Sequence, residues 1–473
     1  MAKNLIIVHG YSDGYMQKNN SFAKLKKFLV KNQCYASSNI RFVEYSSLDD
    51  QATFEDFADK LDSDYEKYFK GKRVDVLCHS TGSLVTRAWL NMRRKRQRAL
   101  ELDLDIPVHR LFLFAPANFG SDLARMGQSF LGKIKSTFLS KSAHRKEFGE
   151  SGKIVLQGLE PASPYQWDLS MQDLHDETYF GPNDDSEQVC LPFVFAAGNG
   201  YGGIQATLMK ARNKPGTDGV IRIPGTSINS RKCTLAFQDK GPILQWAEEK
   251  KHASMPMCVF QGFNHGSIIN VDDADFLKPD GPGTLLLAAL KVNTLKQYQN
   301  RMPALFHQAQ EANDARAKDE YKDVYQQFFF KVRDDVGFDI NDFFLDFQVE
   351  LPEGTQDPRN RQKNYLNKLF DEKFERRFTN HSQDRSLRVM LINLRELNDV
   401  MKEIKKAKAK LKLVVNAAKP YNEVSYAQGE FVVFDSLERK GKNPSFLFPN
   451  TTTMLEIVLN RQPSDKILQI RRM

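Results

Sequence analysis

The sequence predicts an α/β fold with a mostly parallel central sheet and a lid-like insertion, followed by a C-terminal β-sandwich. Three observations carry that prediction. From residue 4 to about 300, short apolar runs alternate with stretches whose apolar residues recur at helical spacing. Strands joined in this way by crossover helices give a parallel sheet covered on both faces. Between Gly120 and about Pro192 the alternation breaks over a stretch too long for a tight connection. After residue 322 the apolar period falls to two, the signature of half-buried strands. The expected domains are therefore 1–300, with an insertion at about 121–190, and 323–473. Residues 301–322, charged and helix-prone, read as a linker.

Each element follows from its own residues. "LIIVH" (Leu5–His9) is a strand. Phe22, Leu25, Phe28 and Leu29 place a helix near 21–32. "IRFVEY" is a strand, and Phe54, Phe57, Leu61, Tyr65 and Tyr68 mark one face of a helix over 53–69. "VDVLC" is a strand leading into a helix over 81–96, and "HRLFLFA", "PFVFAAG" and "MCVFQG" are further strands. "GTLLLAALKV" (Gly283–Val292) is a closing helix. In the insertion, "LARMGQSFLGKIKSTFL" sets Leu123, Met126, Phe130, Leu131, Ile134 and Phe138 on an amphipathic stripe, as a lid over a site would need. In the C-terminal region Phe343, Leu345, Phe347, Val349 and Leu351 alternate with mostly polar residues. "KLKLVV", "EFVVFDS", "TMLEIVLN" and "KILQIRR" are similar, with one short basic helix expected at 395–407.

The chemistry centres on "VDVLCHSTGSLVTRAWL" (Val74–Leu90). A serine hydroxyl is a poor nucleophile at neutral pH and needs a general base, itself oriented by an acid. A sharp strand-to-helix turn supplies the geometry by lifting the hydroxyl over the sheet, with small residues two places either side. Ser80 sits at such a turn beside His79, with Gly82 in one small position and Cys78 in the other. Cys78 departs from the usual glycine, yet a buried cysteine is a small hydrophobe. Upstream, the first strand ends in His9-Gly10, which lets the next amide turn toward the serine. The backbone N–H groups of Tyr11 and Thr81 then become the expected oxyanion donors. Downstream, "PGTDGVIRIPG" places Asp218 in a polar turn before an apolar run, and "CVFQGFNHGSII" places His265 after a strand. Ser80, Asp218 and His265 are thus the expected nucleophile, acid and base. Asp239 and His252 are the rival acid and base, in more charged, helix-like surroundings.

With these motifs, residues 1–300 resemble the α/β-hydrolase superfamily, and within it the lipase branch of bacterial triacylglycerol lipases and GPI inositol-deacylase-like lipases. "VHGY", "CHSTGSLVTRAWL", "APANFGS", "TDGVI" and "NHGSI" carry the resemblance. It implies the same triad and oxyanion donors and an ester-hydrolysing activity. The C-terminal pattern is similar to the β-sandwich domains that some lipases carry to hold lipid or a partner.

The bulk properties narrow the function classes. With 41% hydrophobic and 27% charged residues the chain has the makings of a buried core. No apolar run approaches the roughly 18 residues of a membrane span. The N-terminal segment reads as a strand rather than a signal peptide, so the chain is expected to be cytoplasmic as made, with export by a signal-peptide-independent secretion system as the alternative. Five cysteines, none in a CxxC pair, point to reduced thiols rather than a disulfide scaffold or zinc site. Asp272, Asp273 and Asp275 lack the glycine and distal glutamate of a calcium loop, and His175-Asp176 is a lone pair. No metal and no cofactor is expected.

The net charge of +9 gathers at Arg93–Arg98, Lys141–Lys146 and Lys402–Lys412. These runs are either solvated helix faces or an attraction to anionic lipid. No nucleic-acid-binding signature is visible. The leading expectation is a serine-dependent lipase or phospholipase at a membrane surface. The alternatives are a short-chain esterase or acyltransferase with the same machinery, or a binding protein that uses its β-sandwich on a protein partner and carries a vestigial hydrolase domain.

Overall fold

The computed structural model describes residues 3–11, 21–45, 49–103, 105–126, 152–176, 180, 189–202, 215–238, 240–247, 255–373, 378–417, 424–426, 429–438 and 446–463. These fall into two units, one of residues 1–229 with 249–322, the other of residues 230–248 with 323–473.

The first unit is built on a parallel sheet. Its strands β1 (Leu5–Val8), β2 (Ile40–Val43), β3 (Val74–His79), β4 (Val108–Phe114) and β5 (Leu191–Ala197) come in chain order. The hairpin β6 (Arg231–Gln238) and β7 (Gly241–Trp246) then leaves for the second unit before β8 (Met257–Phe260) returns. The order across the sheet is β2-β1-β3-β4-β5-β8, with every neighbouring pair parallel. β1, β3 and β5 are buried along their whole length, which is why they read as continuous apolar runs rather than alternating ones.

Helices α1 (Ser21–Lys31), α2 (Phe54–Phe69) and α3 (Gly82–Ala99) connect the first strands. α2 starts at a capping box in which Thr53 and Asp56 satisfy each other's backbone N–H. It buries the stripe Phe54, Phe57, Leu61 and Tyr65. In the insertion α4 (Lys153–Leu159) and α5 (Pro164–Ser170) are short, the latter capped by Ser163. The amphipathic stripe beyond Met126 and the cluster Lys141–Lys146 lie outside the described residues.

The first unit closes with α6 (Pro282–Ala289) and α7 (Leu295–Arg316). The linker expected at 301–322 is therefore mostly helix, and it belongs to the core. Tyr298, Met302, Phe306 and Ala309 fall on one face of α7 and are buried with Phe193 and Phe195 of β5. The Tyr298 hydroxyl donates to the Pro192 carbonyl at 2.7 Å.

The second unit is a β domain that borrows from the first domain's stretch of chain. Its later strands are β9 (Tyr325–Asp334), β10 (Phe343–Glu350), β11 (Thr379–Asn380), β12 (Leu387–Asn393), β13 (Lys410–Ala417), β14 (Val424–Tyr426), β15 (Gly429–Asp435), β16 (Thr452–Leu459) and β17 (Arg461–Pro463). One sheet has the order β11-β12-β9-β16-β6-β7 and another β10-β13-β15. β16 is parallel to both β9 and β6, so the hairpin of residues 230–248, expected in the first domain, completes a sheet of the second. Phe330 and Val332, Phe343 and Leu345, and Leu411 and Leu413 share one core, the sandwich interior that the period of two implies. Helices α8 (Arg361–Lys373) and α9 (Leu394–Lys406) cover part of that core through Leu366, Phe370, Leu397, Val400 and Ile404. α9 is the basic helix expected at 395–407, and α8 was not expected.

The charge runs fold back on local acids. Arg93 bonds Asp62 and Glu66, each at 2.7 Å, and Arg96 bonds Asp59 at 2.6 Å. Lys402 pairs with Asp399, Lys406 with Glu403 and Lys410 with Asp435. Lys412 lies between Glu350 and Glu430. Most of the described charge in these runs is thus neutralised within the chain. Among the described residues no helix is long and apolar enough to cross a membrane.

Candidate active site

Strand β3 runs straight into the turn that holds Ser80. There the backbone enters the left-handed region, with φ of +54°, a conformation costing a non-glycine residue about 1–3 kcal/mol. The surroundings hold it in place. The Ser80 N–H donates to the Phe114 carbonyl at 3.1 Å, and the Ser80 carbonyl accepts from the N–H groups of Ser83 and Ala117, each at 3.1 Å. The Ser83 hydroxyl adds a fourth bond at 2.9 Å.

The two small positions behave differently. A Cβ on Gly82 would stand 2.6 Å from the carbonyl oxygens of both Val8 and His9. That close approach requires glycine, since both neighbours are backbone. Cys78 is fully buried beneath the turn, with its thiol 3.7 Å from the Phe112 carbonyl, and burial pushes the thiol's pKa upward. It acts as a small packing residue.

Asp218 and His265 converge on the serine. His265 Nε2 lies 2.9 Å from Ser80 Oγ, and His265 Nδ1 lies 2.9 Å from Asp218 Oδ2. A carboxylate only accepts, so Nδ1 carries the proton and Nε2 faces the hydroxyl as acceptor. The second oxygen, Asp218 Oδ1, accepts from the N–H groups of Val220 at 2.9 Å and Ile221 at 2.6 Å. That turn needs Gly219, at φ +92°, where a Cβ would meet the Tyr201 ring at 2.6 Å. The His265 N–H in turn donates to the Asp218 carbonyl at 3.1 Å. Ser80, Asp218 and His265 are 7%, 1% and 7% exposed, so the line of bonds sits in a largely water-poor setting, where hydrogen bonds strengthen.

The expected oxyanion donors stand at the ends of adjacent strands. β1 and β3 pair in register with Val8 opposite Cys78, so the chain beyond His9-Gly10 and the chain beyond Ser80 emerge side by side. Among the described residues the Thr81 N–H has no hydrogen-bond acceptor. Tyr11 is half-buried, and burial together with Asp50 keeps its phenol protonated. His9 lies outside the triad. Its ring stacks on Tyr45 at 4.4 Å, Nδ1 meets the Gly10 carbonyl, and the Tyr45 hydroxyl donates to the His9 carbonyl at 2.8 Å. His9 is thereby held between Gly10 and Tyr45 at the end of β1.

Two more residues lie beside the site: Arg87, which was not expected, and His79, which was expected next to the serine. Arg87, fully buried on α3, forms a two-pronged ion pair with Asp173 at 2.7 and 2.8 Å and donates to the Asn118 carbonyl at 3.0 Å. An arginine between apolar helix positions, in "VTRAWL", was the available signal. His79 ends β3 with its ring 4.8 Å from that of His265. The rivals Asp239 and His252 lie outside the described residues. The carboxylates weighed as a calcium loop have local duties: Asp272 pairs with Lys24, Asp275 with Lys278, and Asp273 accepts from the Asp275 N–H.

No family model matches the sequence, and no curated protein does. Two solved structures of phospholipase PlaB from Legionella pneumophila do match. One, in complex with thio-NAD, is 21% identical and aligns with a TM-score of 0.77 over 99% of this chain and 96% of that one. The other is 22% identical, with a TM-score of 0.76 over the same shares. At that identity the likeness is one of fold, and it extends over both units. The chain has an α/β-hydrolase fold joined to a β domain, the architecture found in that phospholipase.

Proposed function

We propose that the chain is a serine-dependent carboxylic ester hydrolase acting on lipid, with phospholipid as its substrate class. The observation that carries this reading is the continuous line of hydrogen bonds from Ser80 Oγ through His265 to Asp218, on a residue held at φ +54°. Ser80 Oγ attacks the acyl carbonyl carbon while His265 Nε2 takes the hydroxyl proton. The carbonyl oxygen becomes an oxyanion and accepts from the backbone N–H groups of Tyr11 and Thr81. Collapse of the tetrahedral species expels the alcohol portion, which takes the proton back from the imidazolium. Asp218 steadies that imidazolium without itself becoming protonated. A water then gives its proton to His265 and attacks the acyl-enzyme; collapse releases the fatty acid and Ser80 Oγ, which takes that proton back from the imidazolium.

The lipid part of the reading rests on the likeness to the Legionella phospholipase and on the amphipathic insertion. The paired basic runs lend it no support. The test is fatty-acid release from phospholipid vesicles, with p-nitrophenyl esters of increasing chain length alongside and fluorophosphonate labelling as a second readout. Wild-type protein should release fatty acid, favour long chains and label at Ser80, and Ser80→Ala should lose all three. Activity surviving in Ser80→Ala would overturn the nucleophile assignment. A preference for short soluble esters would overturn the lipid assignment.

A further inference from the structure

We infer that His79 is a positioning residue for His265: through its own ring N–H it holds the backbone of the residue read as the general base. The inference rests on the reading of Ser80, His265 and Asp218 as a triad. His79 Nε2 lies 2.9 Å from the His265 carbonyl oxygen. A carbonyl oxygen can only accept, so Nε2 carries the proton and donates. His265 is therefore held at both of its peptide groups. Its N–H donates to the Asp218 carbonyl at 3.1 Å, and its C=O accepts from His79 at 2.9 Å.

The hold has three consequences. His265 follows β8 in a loop, and loops are the least constrained part of such a site. Fixing both peptide groups leaves only the side-chain torsions to be set, and the Asp218 carboxylate sets those. Second, His79 is covalently next to Ser80. A displacement of the turn therefore carries the base with the nucleophile and keeps their 2.9 Å separation. Third, the His79 ring lies 4.8 Å from the His265 ring at 45°, a contact that limits rotation of the base, while Phe22 of α1 backs His79 edge-on at 6.0 Å. His79 is only 5% exposed, so its ring has little room to leave. A misplacement of about 1 Å at a reacting group costs on the order of 10²-fold in rate, so the hold has kinetic weight.

Three variants test the assignment. In His79→Gln the amide Nε2 reaches the position of the imidazole Nε2, in His79→Asn the amide falls short, and in His79→Leu the donor is gone. With wild-type hydrolysis established, His79→Leu and His79→Asn should lose about 10–100-fold in kcat with KM near wild type, and fluorophosphonate labelling of Ser80 should slow in parallel. His79→Gln should recover most of the loss. A thermal unfolding midpoint for each variant separates misfolding from mispositioning, and the Asn–Gln pair carries the comparison where Leu does not fold. Selective 15N-histidine spectra read the Nε2–H tautomer of His79 without reference to activity, so failure of the hydrolase reading and failure of this one remain distinguishable. The inference is overturned by wild-type kcat in His79→Leu or His79→Asn, by equal loss in Gln and Asn, or by an Nδ1–H tautomer.

Discussion

The Ser80 turn depends on a few atoms beneath it, and Cys78 is the one whose identity is easiest to vary. Its side chain is fully buried. Cys78→Ala should leave fluorophosphonate labelling near wild type. Cys78→Phe should overpack the turn, cost about 1–3 kcal/mol of stability and slow labelling of Ser80, which labelling kinetics and an unfolding midpoint can check together. The site was legible in sequence wherever a local conformation demands a residue type. The left-handed turn, the glycine at 82 and the aspartate turn at 218 all announce themselves in short motifs, in an order the fold permits. The partners of His9 and His79 were not legible. Tyr45 lies 36 residues from His9 in sequence and the His265 carbonyl 186 from His79, so both contacts exist only once the strands are side by side.

At the scale of elements, α3 is fixed to the insertion by the Arg87–Asp173 pair, neither side chain of which is exposed. Removing one member leaves the other charge buried and uncompensated, a loss of about 3–5 kcal/mol. Arg87→Met should therefore lower the unfolding midpoint sharply, and adding Asp173→Leu should restore much of it. Loss in the double variant as large as in the single would refute the pairing argument. β4 carries a half-buried group, His109, whose pKa is pushed down to about 4, chiefly by loss of solvent around the ring. The unfolded chain takes up a proton near pH 6.5 that the folded chain refuses. The contribution of His109 to stability is thus complete above that pH and is lost progressively down to about pH 4. His109→Gln should flatten that part of the stability profile, measured by urea unfolding from pH 7 to about pH 4.5. Helical period was a good guide where one face is plainly apolar, as in α2. It misled at α7, whose few buried residues sit among charges that suggested a solvated linker. β6 and β7 show a different limit: strand residues carry no label for the sheet they will join.

For the whole molecule, the two units cannot be separated by cutting the chain once. A chain ending at residue 322 keeps β6 and β7 but lacks β16, the neighbour to which β6 is bonded in parallel. Cys233, Leu235 and Phe237, buried in the intact second unit, would lose their cover, and an uncovered strand edge invites association. Such a chain should aggregate in size-exclusion chromatography. Replacing residues 230–248 with a short flexible linker in the same truncated chain should return it to a single species. Monodisperse behaviour of the simple truncation would contradict the shared-sheet account. The same excursion falls between Asp218 and His265 in sequence, so the acid and base reach each other across chain that serves the other unit.

The hairpin also sets a schedule for synthesis. β6 leaves the ribosome well before the strand that covers it, which is made roughly 200 residues later, a wait of about 10–40 s at ordinary elongation rates. During that interval the nascent chain displays an apolar strand with one neighbour instead of two. The second unit can close only once β16 has been made.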